Sequence, residues 1–336
     1  MIELLTQLCT AKGVSGDELS VSQIIEKEIS KYAESVVIDR NNNVLAIIGD
    51  TTDHNIMLDA HIDEIGFVVT YIDDEGFIKV SSCGGMDYRV VQDTRFKIIT
   101  EKQEISAVVC CMPPHLSDGG EDKAPCADSI YLDTGLTASE VKEMVGIGDF
   151  VAFDVTPVKL MNNRFSCCST DNRAGCAVLL RTAQMLKEDP ANTGVTFAFT
   201  SQEETYGKGA MTSAYSVNPD EAISIDVSFA QQKGVSEVES GKLGEGAMIC
   251  ISPVLSKKIY NKLIALANKH EIPYQIEVTG GITGTNGDKI SVTRSGIPTA
   301  VVSIPQRNMH TPAEIISIDD IENTARLLFE YIKEAY

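Results

Sequence analysis

Two adjacent glutamates, Glu203 and Glu204, follow Gly194-Val-Thr-Phe-Ala-Phe-Thr200, an apolar β-rich run that reads as a buried strand. Side-by-side carboxylates at the mouth of a strand repel each other, an arrangement suited to a site where one binds a metal and the other handles a proton. The positions just past the other strand-like runs supply partners. His61-Ile-Asp63-Glu64 follows Ile56-Met-Leu-Asp-Ala60, and Asp171 stands in Ser169-Thr-Asp-Asn-Arg173, just before a helical pattern. Asp226 ends Ala222-Ile-Ser-Ile-Asp226, and His310 follows Ala300-Val-Val-Ser-Ile304. Two histidines, a bridging carboxylate and two further carboxylates are the donors required by a pair of zinc-like ions about 3.5–4 Å apart, and a spare glutamate can then serve as general base. Singly, each has an ordinary reading. His61 or His310 reads as a surface or satisfied ring, Asp171 as a helix N-cap, Asp226 as a strand-end turn residue, and the glutamates as a solvated pair. Their joint placement at the carboxyl ends of one sheet argues against all these readings holding together. His54, His115 and His270 fall in turn-like or helix-end settings and carry no such pattern.

The elements that must position these residues form an α/β pattern interrupted once. Ser15-Gly-Asp-Glu18 reads as a capping box opening a helix to about residue 32, with Val21, Ile24, Ile25 and Ile29 on one face. Strand-like runs follow at 36–38, 44–48 and 56–59. From residue 66 the texture becomes short strands separated by turn residues, at 66–72, 76–81, 95–100 and 105–111, with one helical segment at 139–145. Residues 67–157 are therefore expected to form an inserted, mostly β domain resembling a small barrel. It would interrupt a catalytic α/β domain made of residues 1–66 and 158–336. A helix at 174–187 leading to the strand at 195–200 reads as a βαβ crossover. Strands at 222–227, 248–251 and 299–304 then alternate with helices at 256–270 and 319–335. Such sheets bind ligands beyond the carboxyl ends of their strands.

Composition narrows the partners. With 336 residues the chain can bury a large core, and its 43 % hydrophobic and 23 % charged content is that of a globular protein. The net charge of −20 argues against nucleic acid and anionic membrane surfaces as partners, because both need clustered Lys and Arg. Nine cysteines without a C-x-x-C pair read as buried reduced thiols, which fits a cytoplasmic compartment. The start, Met-Ile-Glu-Leu-Leu, lacks a signal-peptide pattern, and no apolar run approaches the ~20 residues that span a bilayer.

Ala60-His-Ile-Asp-Glu-Ile-Gly66, Thr170-Asp-Asn-Arg-Ala-Gly175, Glu203-Glu204, Ser224-Ile-Asp226 and Met309-His-Thr-Pro-Ala-Glu314 resemble, in order, the motifs of the tetrahedral (TET-type) dinuclear metallo-aminopeptidases. This family includes glutamyl aminopeptidases and proteins once labelled cellulase M or endoglucanase. Gly84-Gly85, Pro113-Pro-His-Leu116, Asp133-Thr-Gly135 and Gly148-Asp-Phe150 resemble its dimerisation domain. The resemblance spans nearly the whole chain. It implies a mixed-sheet α/β peptidase domain holding two divalent ions per subunit, zinc first, with cobalt or manganese as alternatives. His61 and Asp226 would hold one ion, Glu204 and His310 the other, and Asp171 would bridge them. Glu203 would be the general base, and Asp63 would orient the His61 ring. It further implies peptide substrates trimmed from the N-terminus, and homo-oligomers in which dimers build a hollow tetrahedral dodecamer. The chain departs from the family's Val-Gly-Leu-Arg-Gly-Ala at Thr205-Tyr-Gly-Lys-Gly-Ala210, from Gly-Thr-Asp at Gly284-Thr-Asn286, and from Leu-Gly-Lys-Gly-Pro at Leu243-Gly-Glu245-Gly-Ala247. None of these changes touches a ligand position. The alternatives are a metal-dependent deacylase of N-acylated amino acids or peptides on the same site, a glycosidase, and a non-catalytic relative. A glycosidase would need two carboxylates across the sugar and not a His-rich cluster.

Overall fold

The computed structural model describes residues 1–92, 94–111, 115 and 129–335. Two helices, α1 (Ile2–Thr10) and α2 (Leu19–Ile29), lead into strands β1 (Ser35–Ile38), β2 (Val44–Ile48) and β3 (Asn55–His61). Strands β4 (Gly66–Ile72), β5 (Ile78–Cys83), β6 (Arg95–Ile99), β7 (Glu104–Val109), β8 (Tyr131–Asp133) and β9 (Phe150–Phe153), with helix α3 (Ala138–Met144), come next. The chain continues through β10 (Val158–Leu160), β11 (Arg164–Cys167), α4 (Thr170–Glu188), β12 (Gly194–Thr200), α5 (Lys208–Val217) and β13 (Glu221–Phe229). It ends with β14 (Ala247–Ile251), α6 (Lys257–Lys269), β15 (Tyr274–Val278), α7 (Asn286–Ser291), β16 (Thr299–Gln306), β17 (Glu314–Ser317) and α8 (Ile318–Lys333).

Eight strands form one mixed sheet in the order β1-β2-β12-β3-β13-β16-β14-β15, whose four central strands, β12, β3, β13 and β16, run parallel. Helices cover both faces, so the central strands are apolar almost without interruption. The period of two still sorts their side chains. Ile56, Leu58 and Ala60 of β3 enter the larger core with α1, α2, α4, α6 and α8, while Met57 joins a smaller one with Ala210, Ala214 and Ile290 of α5 and α7. Helix α8 buries Ile321, Ala325, Leu328 and Ile332, a stripe at helical spacing that seats it beside α4.

Strands β4 to β9 close into a barrel in the order β4-β5-β8-β7-β6-β9. Alternation is clean in β7, where Ile105, Ala107 and Val109 point in and Glu104, Ser106 and Val108 point out. Phe96 centres the interior, its ring centroid 5.4 Å from that of Phe67 and 4.9 Å from that of Phe153. The motif at 113–116 lies outside the described residues except for His115, which is exposed.

One sequence expectation needs correction. The capping box at Ser15–Glu18 does not form. Helix α2 starts at Leu19 with no side-chain cap, the Ser15 hydroxyl pairs with that of Thr205, and Glu18 Oε1 accepts from Gly16 N. These contacts keep Ser15 and Glu18 in the preceding loop, so the helix begins later than expected. The crossover expected into β12 forms, running from β3 through α4 to β12, which pairs in parallel with β3. Strand β11, just before α4, belongs to a separate sheet, β10-β11-β17.

Candidate metal centre

The ends of the central strands deliver the predicted residues to one place. His61 is the last residue of β3, opposite Thr200, and Glu203 and Glu204 follow three and four residues beyond that partner. Asp226 sits inside β13, opposite Ser303 of β16, and is no turn residue. Asp171 does not cap α4. It lies within the first turn, at φ −81° and ψ 103°, and this non-helical backbone turns its carboxylate toward the histidines. Ser169, Gln202 and His310, in the loops that present these groups, all have left-handed φ values, a conformation that collects at functional sites.

Asp171 stands between the two rings. Its Oδ1 is 3.2 Å from His61 Nε2, and its Oδ2 is 3.3 Å from His310 Nε2. Asp226 Oδ1 lies 3.6 Å from His61 Nε2, and Glu204 Oε2 lies 3.5 Å from His310 Nε2. Two overlapping triads result, His61–Asp171–Asp226 and His310–Asp171–Glu204, each with donor atoms close enough to share one ion. Glu203 belongs to neither triad. Asp63 reaches all three parts of this arrangement. Its Oδ1 is 3.4 Å from His61 Nδ1, and its two oxygens accept from the backbone N–H groups of Glu203 and Glu204 at 3.0 and 3.1 Å.

The ring hydrogen bonds test whether a cation fits. His310 Nδ1 lies 2.7 Å from the carbonyl of Gly85, and His61 Nδ1 lies 3.2 Å from that of Asp63. A carbonyl only accepts, so each Nδ1 carries a hydrogen and donates. A neutral ring then aims its Nε2 lone pair at carboxylate oxygens, acceptor against acceptor. A divalent cation between them removes the conflict, and without one both rings must be protonated. The donor set therefore fits the cation.

The titration behaviour reflects the same crowding. Burial pushes the Glu203 carboxyl up to about 8, and burial likewise raises Glu204 and Asp226, with Asp171 adding repulsion to both. Burial works against the charged form of Asp171 too, yet hydrogen bonds from His310 and His61 outweigh it and hold this carboxyl below the ordinary range. For His61 and His310 burial favours the neutral ring, but the surrounding aspartates raise both above their usual value.

Three groups escaped the sequence reading. Glu314, buried at the start of β17, accepts from His310 N at 3.0 Å, Asp171 N at 3.1 Å and Thr170 Oγ1 at 2.9 Å, tying the segments that carry Asp171 and His310 together. Glu64 accepts from Gly13 N and from the Ser169 hydroxyl. The Gly85 carbonyl comes from the barrel. Their only signals were Glu64 and Glu314 within the quoted motifs and the paired glycines at 84–85. Beneath the cluster lies Asp59, which accepts from Thr200 and Ser224, and burial raises it to about 6.

A cavity of about 720 Å³ opens onto the cluster and extends past Tyr206 to Ile282 and Lys289. No helix among the described residues is long and apolar enough to cross a membrane.

The chain is similar to known proteins over nearly its whole length. A lysyl aminopeptidase from Pyrococcus furiosus is 31 % identical over 99 % of this chain and 96 % of its own length. A TET aminopeptidase from a marine sediment archaeon of the Thaumarchaeota superposes with a TM-score of 0.94 at 29 % identity, over 99 % of this chain and 96 % of that one. A TET peptidase from Pyrococcus horikoshii, described as assembling into a tetrahedron or a large octahedral shell, superposes at 0.89 with 29 % identity and 99 % coverage of both chains. The sequence profile of the M42 glutamyl aminopeptidases matches residues 42–327, and the chain belongs to that family.

Proposed function

We propose how this chain performs the reaction its family membership gives it, metal-dependent removal of N-terminal residues from peptides. His61, Asp171 and Asp226 hold one divalent cation, and His310, Asp171 and Glu204 hold a second. The carrying observation is Asp171, whose two oxygens each face a different histidine, as a bridging carboxylate's would. Zinc suits this imidazole and carboxylate set, with cobalt or manganese as alternatives. When bound, the cations polarise the scissile carbonyl and lower the pKa of water.

Glu203 is the general base. It takes the proton from the attacking water and returns it to the leaving amine nitrogen. Burial raises its carboxyl in the cation-free protein, up to about 8, and bound cations would bring it back down, leaving a carboxylate able to take the proton. Asp63 is a positioning residue that fixes the backbone of both glutamates and faces Nδ1 of His61. The acid-rich walls also suit the free ammonium terminus of a peptide, which makes the enzyme an exopeptidase. A deacylase is not favoured, because an acylated nitrogen has no charge to offer these walls and the compared relatives are aminopeptidases.

Release of p-nitroaniline from a panel of α-linked aminoacyl-p-nitroanilides, by protein loaded with zinc or cobalt and by a chelator-treated control, tests the activity. Metal-dependent release is expected. Glu203→Gln should keep the wild-type metal content by elemental analysis while turnover falls about 10²–10⁴-fold. Near-normal turnover in that variant would remove the base assignment.

Residues 67–157 are read as an inserted dimerisation domain within a catalytic domain of 1–66 and 158–336, supported by the closed barrel of β4 to β9. A homo-oligomer built from dimers, a tetrahedral dodecamer, is proposed by analogy with the TET peptidases. Cytoplasmic placement is supported by the free state of all eight described cysteines.

A further inference from the structure

The cavity is lined by two groups of side chains of different character. One is the acid cluster. The other is Tyr206, Ile282 and Val292 with two charged side chains, Asp288 and Lys289. Asp288 is turned onto its own loop, where its carboxylate accepts from Thr283 N, Gly284 N and the Thr283 hydroxyl. Lys289 is the only lysine or arginine among the described lining residues, and it has no carboxylate partner within 4 Å among the described residues.

Local structure explains how Lys289 is aimed. Its stem crosses Gly207 so closely that a Cβ there would stand 2.7 Å from Lys289 Cγ and 3.3 Å from Cε, and Gly207 has a φ of +74° that disfavours any other residue. Its ammonium ends 4.8 Å from the centroid of the Tyr206 ring, within cation–π range. The aromatic and the displaced glycine that set Thr205-Tyr-Gly-Lys apart from the family pattern thus act together. They hold one cation in the cavity wall, against the Tyr206 ring.

We infer that this part of the cavity receives the side chain of the substrate's N-terminal residue and that Lys289, held by Gly207 and Tyr206, selects an acidic one. The inference rests on the aminopeptidase reading above. The relatives' names leave the sign of the charge open, since one is a lysyl and another a glutamyl aminopeptidase. The cavity decides it. A glutamate or aspartate side chain gains a charge-assisted bond to Lys289 in a partly walled site, a lysine side chain meets a like charge, and a leucine leaves the ammonium unused.

The test is kcat/KM of the metal-loaded full-length protein on glutamyl-, aspartyl-, leucyl- and lysyl-p-nitroanilide, for wild type, Lys289→Met and Lys289→Glu. Melting temperature and metal content are measured alongside. Wild type should favour the acidic substrates by at least about tenfold. The glutamyl-to-leucyl ratio should fall about tenfold or more in Lys289→Met, and Lys289→Glu should shift preference toward lysyl. If either variant fails to fold, the wild-type ranking and the other variant still decide. A wild type that prefers leucyl or lysyl overturns the inference and leaves the aminopeptidase standing, as does a Lys289→Met variant that keeps the acidic preference. No metal-dependent release from any substrate overturns both.

Discussion

At the scale of residues, the cluster is a set of groups whose charges are reconciled only by something positive between them. In the cation-free protein this has a consequence for stability. The raised Glu203 carboxyl keeps its proton in the folded chain from its usual 4.5 up to about 8, whereas the unfolded chain has already released it. Protonation therefore stabilises the fold at low pH, and that contribution is lost as the pH rises through this window. His61 and His310 are also raised, so their stabilising contribution is complete below 6.5 and disappears as the pH climbs through their folded values. Asp171 is shifted the opposite way, but its window lies below 3.8. Within the cluster, all the shifts that act above that point have one sign. With chelator present, the melting temperature should be lower at about pH 8 than at about pH 5.5, and saturating zinc should flatten the decline because the ion favours deprotonated ligands. A melting temperature that is level across this range in chelator would count against the crowded-acid description.

At the scale of elements, the site depends on how tightly the turn bearing Glu203 and Glu204 is seated. Gly209, at the start of α5, lies so close to this turn that a Cβ there would stand 2.3 Å from the Ser201 carbonyl oxygen and 2.4 Å from Asn43 Oδ1. That Asn43 oxygen accepts from both the backbone N–H and the hydroxyl of Ser201. Gly209→Ala should cost about 1–3 kcal/mol in chemical denaturation through overpacking. Turnover should fall further than stability suggests, about 10²-fold, because Glu203, the proposed base, moves with the turn. Full activity in a destabilised Gly209→Ala protein would show that the turn tolerates displacement.

The same scale shows what could be read from the chain. His61, Asp171, Glu203, Glu204, Asp226 and His310 were legible because long apolar runs mark the central strands and ligands gather where such strands end. The barrel was legible from short alternating strands. Helix α1 was not, since nine residues with Leu5, Leu8 and Cys9 buried give little periodicity. Helices α5 and α7 were missed because their glycine, serine and threonine content reads as loop. Glu314 acts through the pairing of β11 with β17, a contact between residues far apart in sequence, and the Gly85 contact is made by a backbone carbonyl that any residue carries.

At the scale of the whole molecule, any homo-oligomer of an acidic chain of net charge −20 would form against its own repulsion. If the barrel carries a dimer contact as proposed, light scattering after size exclusion should find a homo-oligomer whose mass is a multiple of the dimer. Low ionic strength should favour smaller species, because long-range repulsion is then unscreened. A monomer at all salt concentrations would remove the proposed assembly.

The Gly84-Gly85 loop carries the barrel up to the candidate metal centre. A Cβ on Gly84 would stand 3.2 Å from Glu204 Cβ, and one on Gly85 would stand 3.0 Å from His310 Nδ1, the atom its carbonyl orients. An engineer exchanging barrels between relatives to redesign a particle would therefore also be rewriting the reaction centre. The graft would have to bring its own paired glycines to the seam, in register, or deliver well-formed cages of idle enzyme.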